Sequence, residues 1–394
     1  MLSSFETGII TLLNNALKGE NQPLPADFDY SRVYKFGIKH QILPMLYYGG
    51  ANLPEFIISD TENKMLFATM QLTALNENQL MEVDRVCKEF DKNGIEYLKL
   101  KGSIIKRLYP LREMRVMSDA DILIREKQMD KIEALMIELG YKFECASDHE
   151  LIWSGDILPL ELHKRIVASY QKDFYAFFDN GWKLAKKKDE DSCEYVMSLE
   201  DELLYLFTHL AKHYRDAGIG IKHLTDIYLF LKSYPDLNME YIHTSLDKMH
   251  LLEFYNNIKR TLDVWFNGAE CDDISKFITA KIFDSGVYGT LVNSLKSDAL
   301  KFSKGAGGAE GAKRKKRLYL IFLPYNRMCA IFPILHKAPI LLPFMWIWRI
   351  IRTILFKRDS INKLDSEVEG YSKEAIDEYQ VELNYVGLDY NFEV

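Results

Sequence analysis

The chain has 394 residues, enough for about two or three domains of roughly 150 residues each. Hydrophobic residues make up 48% of the sequence and aromatic residues 13%, so the chain can bury a sizeable core. The net charge of −7 gives no general attraction to nucleic acid, and a polynucleotide template or acceptor is therefore not favoured.

The cysteines are scattered and odd in number, and no two form a Cys-x-x-Cys pair: Cys87, Cys145, Cys193, Cys271 and Cys329. We expect reduced thiols in a cytoplasmic protein. Residues 1–6 have neither a basic segment nor an apolar run, so no signal peptide is expected.

Residues 1–93 are predicted to form a helical N-terminal region. Amphipathic patterns at residues 5–17, 30–41 and 61–92 indicate three helices. Asn93-Gly94 ends the last of them, and we place the boundary of the region there.

A strand followed by a short helix is predicted at residues 95–109. Gly102 and Ser103 occupy the turn between them, and Pro110 stops the helix. Glycine lets the backbone approach a ligand closely, and a helix N-terminus offers unpaired N–H groups to anions. Lys101, Gly102 and Ser103 are therefore candidate phosphate contacts, although Lys101 and Gly102 could also form a plain strand end.

Two carboxylates, Asp119 and Asp121, precede an apolar, branched run that ends at Ile124. Side chains alternate along a strand, so the two carboxylates project from one face about 6.6–6.8 Å apart. Such a pair can converge on two divalent cations about 3.5–4 Å apart, an arrangement that serves phosphoryl or nucleotidyl transfer. Asp-x-Asp is also common on solvated loops, so the surrounding residues decide between the two interpretations.

A predicted α+β core of residues 94–170 continues after these aspartates. Apolar residues at helical spacing indicate a helix at 126–139, which Gly140 ends. Strands are expected at residues 141–145, 149–153 and 158–163.

Glu161 and His163 share one face of the last of these strands. Glu161 is a candidate third carboxylate, either as a metal ligand or as a general base. The alternative is a charged residue that faces solvent on an edge strand. His163 could orient an acceptor or serve as a structural partner.

Arg115 lies in the irregular stretch between Pro110 and the aspartates. It could clamp a triphosphate through two parallel hydrogen bonds, or it could pair with Glu113 at the surface. The sequence around Arg115 leaves both interpretations open.

Residues 171–304 are predicted to be mainly helical. His209 and His213 lie four residues apart on one helix face, and His223 follows a loop. These histidines could line a cleft or be core residues. A zinc site is less favoured, because the glutamate of a His-Glu-x-x-His motif is absent.

Residues 305–364 are predicted to be a flexible Gly-rich linker at 305–311 followed by a basic, apolar segment. The apolar tract is broken by prolines and arginines, so it does not resemble a spanning helix. It could lie at a membrane surface through residues 313–358 or pack against the helices, and the sequence favours packing. Residues 365–394 are expected to be a loosely held acidic tail.

The order of these elements resembles the core of the polymerase-beta-like nucleotidyltransferase superfamily. It is most similar to bacterial nucleotidyltransferase family proteins, in which Lys-Gly, Arg, Asp-x-Asp and Glu-Leu-His follow one another. The matching residues are Lys101-Gly102, Arg115, Asp119-Ala120-Asp121 and Glu161-Leu162-His163, with a weaker helical match at His209-Leu210-Ala211-Lys212-His213, His223 and Asp226. The core match covers roughly residues 90–170, and the helical match extends towards residue 230. Ser103 followed by two isoleucines departs from the usual small-residue loop of the family.

The resemblance implies an α+β fold and a metal-dependent transferase that moves an NMP from an NTP, such as ATP, to a small-molecule or protein acceptor. It implies two Mg²⁺ ions, or Mn²⁺, held by Asp119, Asp121 and Glu161, and phosphate contacts from Lys101, Gly102, Ser103 and Arg115. His163, His209 and His213 would lie in the same cleft. The alternatives are a nucleotide-binding or membrane-peripheral scaffold with a decayed core, and a toxin-type enzyme that modifies tRNA or protein.

Overall fold

A mixed β-sheet crosses the middle of the chain in the computed structural model, which describes residues 1–59, 61–356 and 366–388. Its strands are β1 (Tyr97–Lys99), β2 (Ala120–Ile124), β3 (Lys142–Ala146), β4 (Glu150–Ser154), β5 (Leu160–His163), β6 (Lys186–Lys187) and β7 (Glu194–Val196). They lie in the order β3-β4-β5-β2-β1-β7-β6. β2 is parallel to β5 and β1 to β7, and the other neighbouring pairs are antiparallel.

Helices precede, interrupt and follow this sheet. They are α1 (Ser4–Lys18), α2 (Tyr30–His40), α3 (Leu43–Gly50), α4 (Pro54–Ile57), α5 (Glu62–Lys92), α6 (Gly102–Ile105), α7 (Met129–Glu138), α8 (Lys172–Phe178), α9 (Leu199–Asp216), α10 (Ile221–Ser233), α11 (Met239–Lys248), α12 (Leu252–Phe266), α13 (Asp273–Ser285), α14 (Leu291–Ser303), α15 (Ala309–Ile321), α16 (Tyr325–Ile331), α17 (Leu342–Phe356) and α18 (Lys373–Tyr385). The fold is therefore α+β with a small mixed sheet, as predicted. The three helices expected before residue 93 are present as α1, α2 and α5.

The strand register brings the acidic residues of two neighbouring strands together. In the parallel pair of β2 and β5, Asp121 lies opposite Glu161. On the other side of β2, the N–H of Leu100 donates to the carbonyl oxygen of Asp121 at 3.0 Å. Lys101 therefore leaves the sheet directly beside Asp121.

The turn after β1 differs from the sequence prediction. Gly102 and Ser103 are the first residues of α6 rather than the turn that precedes it. The turn is made at Lys101, whose φ of 43° is positive. Such a conformation is uncommon outside glycine and persists where surrounding contacts hold the residue. The contacts of the Lys101 side chain supply this restraint.

Two hydrophobic clusters meet at the sheet. Ile122 and Ile124 of β2 face a cluster that includes α5 and α7, whereas Leu123 faces a larger cluster. The larger cluster joins α1 to α12, and the side-chain amide of Asn14 donates to the carbonyl oxygen of Trp265 at 2.7 Å. The predicted helical regions on either side of the sheet thus share one core.

Where the structure describes the C-terminal part of the chain, it is more ordered than the sequence predicts; residues 357–365 and 389–394 of the predicted basic segment and tail lie outside the described residues. Helix α15 begins at Ala309, within the predicted linker. The expectation of a loosely held tail is wrong for α18, because Tyr379 and Leu383 are buried and the Tyr379 hydroxyl donates to the Arg215 carbonyl oxygen at 2.8 Å. These residues and Ile376 recur at helical spacing, which gives α18 one apolar face to bury.

We expect Leu383→Ala to lower the free energy of unfolding by about 2–5 kcal/mol, because it leaves a cavity beneath a docked helix. Val381→Ala is the matched control: Val381 lies on the same helix but is 67% exposed, so its change should stay within about 0.5 kcal/mol. Urea unfolding measures both values. Equal effects would mean that α18 is not docked.

Candidate active site

A cavity of about 400 Å³ lies between the strands β2 and β5 and the helices α9 and α10. It brings together the side chains and backbone that the sequence predicts for a site: Lys101, Gly102, Arg115, Asp119, Asp121, Glu161, His163, His209 and His213. The side chain of Ser103 lies outside the described part of the chain, and its backbone belongs to α6.

Asp121 is buried and accepts two hydrogen bonds on the same oxygen. Lys101 Nζ donates to Oδ1 at 2.8 Å, and His163 Nε2 lies 2.9 Å from the same atom. Burial alone would raise the pKa of Asp121, but Lys101 and His163 outweigh it and hold the pKa well below its ordinary value. Asp121 is therefore ionised and fixed in position.

Asp119 is electrostatically different from its neighbour. Burial, followed by the charges of Asp121 and Glu161, raises the pKa of Asp119 to about 6. Repulsion among three carboxylates is the condition that a bound cation relieves, so the electrostatics of the cluster favour a divalent ion.

Glu161 lies beside His163 as well as opposite Asp121. Its Oε2 is 3.7 Å from His163 Nε2, and its side chain is 25% exposed towards the cavity. Ligand atoms from Asp121, Glu161 and His163 all lie within 4.8 Å of one another. Carboxylate oxygens are the ligands that Mg²⁺ prefers, so the residues present fit the predicted ion.

Arg115 is buried and paired, but its partner is not the one that the sequence suggested. Its Nε and Nη2 donate to the two carboxylate oxygens of Asp226 at 2.8 Å each. The alternative pairing with Glu113 is wrong, since Glu113 accepts from the Tyr48 hydroxyl at 2.9 Å. A buried, bidentate partner is preferred over an exposed one.

The third guanidinium nitrogen, Nη1 of Arg115, lies against Gly102. A Cβ at position 102 would lie 2.8 Å from this atom, which is too close for an ordinary contact. A side chain at position 102 would displace the guanidinium of Arg115 from its present place, so glycine fits the paired position of Arg115. A phosphate contact from Arg115 stays a prediction, and Nη1 is the atom placed to make it.

Three histidines from α9 and α10 line another side of the cavity. Nε2 of His209 and Nε2 of His213 are 3.0 Å apart, and the ring of His223 lies 6.1 Å from each of the other two rings. Burial holds the pKa of His209 and His213 well below the ordinary value and lowers that of His223 to about 4. These three imidazoles are therefore neutral. Among the described residues they form no compact metal-ligand set, so the zinc interpretation has no support.

A second acidic and imidazole group lies in the same cavity and was missed by the sequence analysis. His149 Nε2 is 3.1 Å from Glu150 Oε2, and both residues lie near His163. Burial would raise the pKa of Glu150, but the hydrogen bond to His149 lowers it to about 2. His149 lies just before β4, and Glu150 is the first residue of that strand. The antiparallel pairing of β4 with β5 places them beside His163, and no local sequence motif indicates it.

Lys222 and Gln41 are further cavity residues that the sequence analysis missed. Burial and then Arg115 lower the pKa of Lys222 to about 8, and its ammonium donates to Gln41 Oε1 at 2.5 Å. The Gln41 amide donates in turn to Ser118 Oγ at 2.7 Å and to the Tyr288 hydroxyl at 3.0 Å. Lys222 adjoins His223, which the sequence analysis named as a candidate residue, so its place beside the cavity could have been predicted. No local sequence pattern indicates Gln41, because its partners Ser118, Lys222 and Tyr288 lie far along the chain.

A family model described as uncharacterised nucleotidyltransferase matches residues 26–267. This span contains the sheet, the cavity carboxylates and the histidines of α9 and α10. No match was found among curated proteins.

Among solved structures, the solution structure of the antibiotic-resistance factor ANT(2'')-Ia is similar at 13% sequence identity. The similarity covers 47% of this chain and 96% of that chain, with a TM-score of 0.33. A likeness at this level carries no argument about this chain.

We expect Asp226→Ala to lower the free energy of unfolding by about 3–5 kcal/mol, because it leaves the buried guanidinium of Arg115 without its counterion. The control is Glu369→Ala, which removes an exposed carboxylate paired with Lys313 and Arg317 and should cost far less. Thermal or urea unfolding compares the two. Similar small losses for both variants would contradict the buried pairing of Arg115.

Proposed function

Because this chain belongs to the uncharacterised nucleotidyltransferase family, whose model matches residues 26–267, we propose that it is a metal-dependent enzyme. It transfers an NMP from an NTP, with ATP as the first donor to test, to a hydroxyl or phosphate group of an acceptor. The observation that carries the proposal is the convergence of Asp119, Asp121 and Glu161 in one cavity with cationic side chains.

The proposed cation ligands are Asp119, Asp121 and Glu161, and the ion is Mg²⁺ or Mn²⁺. A divalent cation held there would neutralise negative charge on the NTP and lower the pKa of an acceptor hydroxyl. Glu161, whose side chain is 25% exposed, is also the candidate to take the acceptor proton.

Lys101 and His163 position Asp121 in this proposal. Both contact Oδ1, so we assign the other oxygen, Oδ2, to the cation. Lys101 has a positive φ and pairs with Asp121. Its main proposed role is therefore to position Asp121, and a phosphate contact is its second role.

Gly102, Arg115 and Lys222 form the proposed wall for the triphosphate. Gly102 allows close approach to the backbone, and Nη1 of Arg115 lies directly against it. Lys222 remains mostly protonated at neutral pH, because its lowered pKa is still about 8. Positive charge placed there stabilises the pyrophosphate as charge moves onto it.

The acceptor would enter between these residues and the neutral histidines His209 and His213. Neutral imidazoles both donate and accept hydrogen bonds, which suits a polar acceptor. The net charge of −7 argues against nucleic acid, so we propose a small molecule or a protein. All five cysteines are free, in keeping with a reducing, cytoplasmic location.

We expect Asp119→Asn to weaken Mg²⁺-dependent NTP binding by at least about 100-fold, because it removes a proposed cation ligand. This substitution leaves the contacts of Asp121 with Lys101 and His163 in place, so the cavity should keep its shape. Isothermal titration of ATP, GTP, CTP and UTP, with and without Mg²⁺, measures the effect. Asp156→Asn, at an exposed loop carboxylate, is the matched control and should bind as the native protein does.

Two results would contradict the proposal. If a folded protein bound no NTP, or bound one equally well without Mg²⁺, the metal role of the carboxylates would be wrong. Pyrophosphate is released from the NTP when an acceptor takes the NMP. If NTP bound with Mg²⁺ but no added acceptor caused pyrophosphate release, a non-catalytic nucleotide-binding scaffold would be the better description.

The raised pKa of Asp119 predicts that cation binding depends on pH. Below about pH 6 this carboxyl holds a proton that the cation must displace, so Mn²⁺ affinity should rise as the pH increases through 6. Mn²⁺ titration followed by electron paramagnetic resonance at about pH 5 and about pH 7.5 tests this. In Asp119→Asn the dependence around pH 6 should disappear; its persistence would assign the titration to another group.

A further inference from the structure

The segment that contains α15, α16 and α17 has a hydrophobic cluster of its own. Leu323, Met328, Cys329 and Leu335 are buried in it, and Trp346 of α17 packs against them. The indole N–H of Trp346 donates to the Leu323 carbonyl oxygen at 2.9 Å. One face of α17 is therefore fixed to the preceding part of this segment.

The opposite face of α17 is apolar and exposed. Its large side chains are between 43% and 68% exposed: Phe344, Ile347, Trp348, Ile351, Ile354 and Leu355. Their spacing places them within about a third of the helix circumference, in one continuous stripe. We call this stripe the α17 apolar face. Ile340, just before the helix, is 84% exposed. Single exposed hydrophobic residues are common on protein surfaces, whereas a contiguous apolar surface of this kind marks a site of interaction.

The charge of the same segment is the reverse of that of the whole chain. Residues 311–358 contain no Asp or Glu but eleven Lys and Arg, in a chain whose net charge is −7. Arg352 is exposed at the edge of the α17 apolar face, and Arg314 and Lys337 are exposed elsewhere in the segment. Some of the other basic residues pair with Asp298 and Glu369 of neighbouring elements.

We propose that the α17 apolar face docks on an anionic lipid surface, with the helix lying in the membrane interface. A helix of 15 residues is shorter than the roughly 20 needed to cross a bilayer, and no helix among the described residues has the length and apolarity to span one. Apolar side chains enter the boundary between headgroups and acyl chains, while the surrounding basic residues meet the negative headgroups.

The composition of the face distinguishes this occupant from a protein partner. Trp348 beside an arginine is typical of the membrane interface, where an amphipathic ring sits at headgroup level. An acid-free, basic segment complements anionic lipid over its whole length, whereas a second copy of this chain would bring the same positive charge to the contact. The inference is independent of the proposed function, because it uses no residue of the cavity.

The test is flotation of the full chain with vesicles of equal parts phosphatidylcholine and phosphatidylglycerol, and with phosphatidylcholine alone. We expect binding to the anionic vesicles that weakens with added salt, and much weaker binding to the neutral ones. Ile347→Glu with Ile351→Glu should reduce the partition coefficient at least about tenfold. Both positions are exposed, so the double variant should fold. Urea unfolding and NTP titration check that its stability and its cavity are unchanged.

The matched control is Ile137→Glu, on α7, where the isoleucine is 67% exposed outside this segment. It should float as the native chain does. The proposal is overturned if the native chain stays unbound with both vesicle types, or if the double variant floats as well as the control. It is also overturned if light scattering shows a dimer that the double variant abolishes, since a second copy would then cover the face.

Discussion

The buried carboxylate of Asp121 is the centre on which the rest of the cavity depends. It neutralises Lys101, whose positive φ turns the chain out of β1 into α6, and it fixes His163 at the end of β5. Three neighbouring strands thus meet at one oxygen atom. An unpaired charge at such a depth would be strongly destabilising, so the ion pair and the geometry of the strands maintain each other.

A second buried pair, Arg115 with Asp226, ties the sheet to the helical wall. It orients a guanidinium against Gly102 and thereby sets how closely any ligand can approach the start of α6. Gln41 completes the enclosure from the N-terminal region through Ser118 and Lys222. The cavity is therefore built by segments from three parts of the chain and cannot be assigned to the sheet alone.

Much of this arrangement could be read from local patterns. Strand alternation predicted that Asp119 and Asp121 would share a face and that Glu161 and His163 would share a face of a later strand, and helical periodicity predicted α1, α2 and α5. The pairing of β2 with β5, which places Glu161 opposite Asp121, is a tertiary contact that alternation does not give. The partner of Arg115 could not be predicted, because Asp226 lies 111 positions away and only tertiary packing selects it over nearby Glu113. Helix α18 was missed because its acidic composition outweighed the spacing of its few apolar residues.

Anomalous diffraction from crystals grown with Mn²⁺ and a non-hydrolysable NTP analogue would locate the cation and the nucleotide in one experiment. We expect an anomalous peak among Asp119, Asp121 and Glu161, with the triphosphate facing Gly102 and Lys222. A peak only at His149 and Glu150, or nucleotide bound outside the cavity, would contradict the assignment of these carboxylates to nucleotidyl transfer.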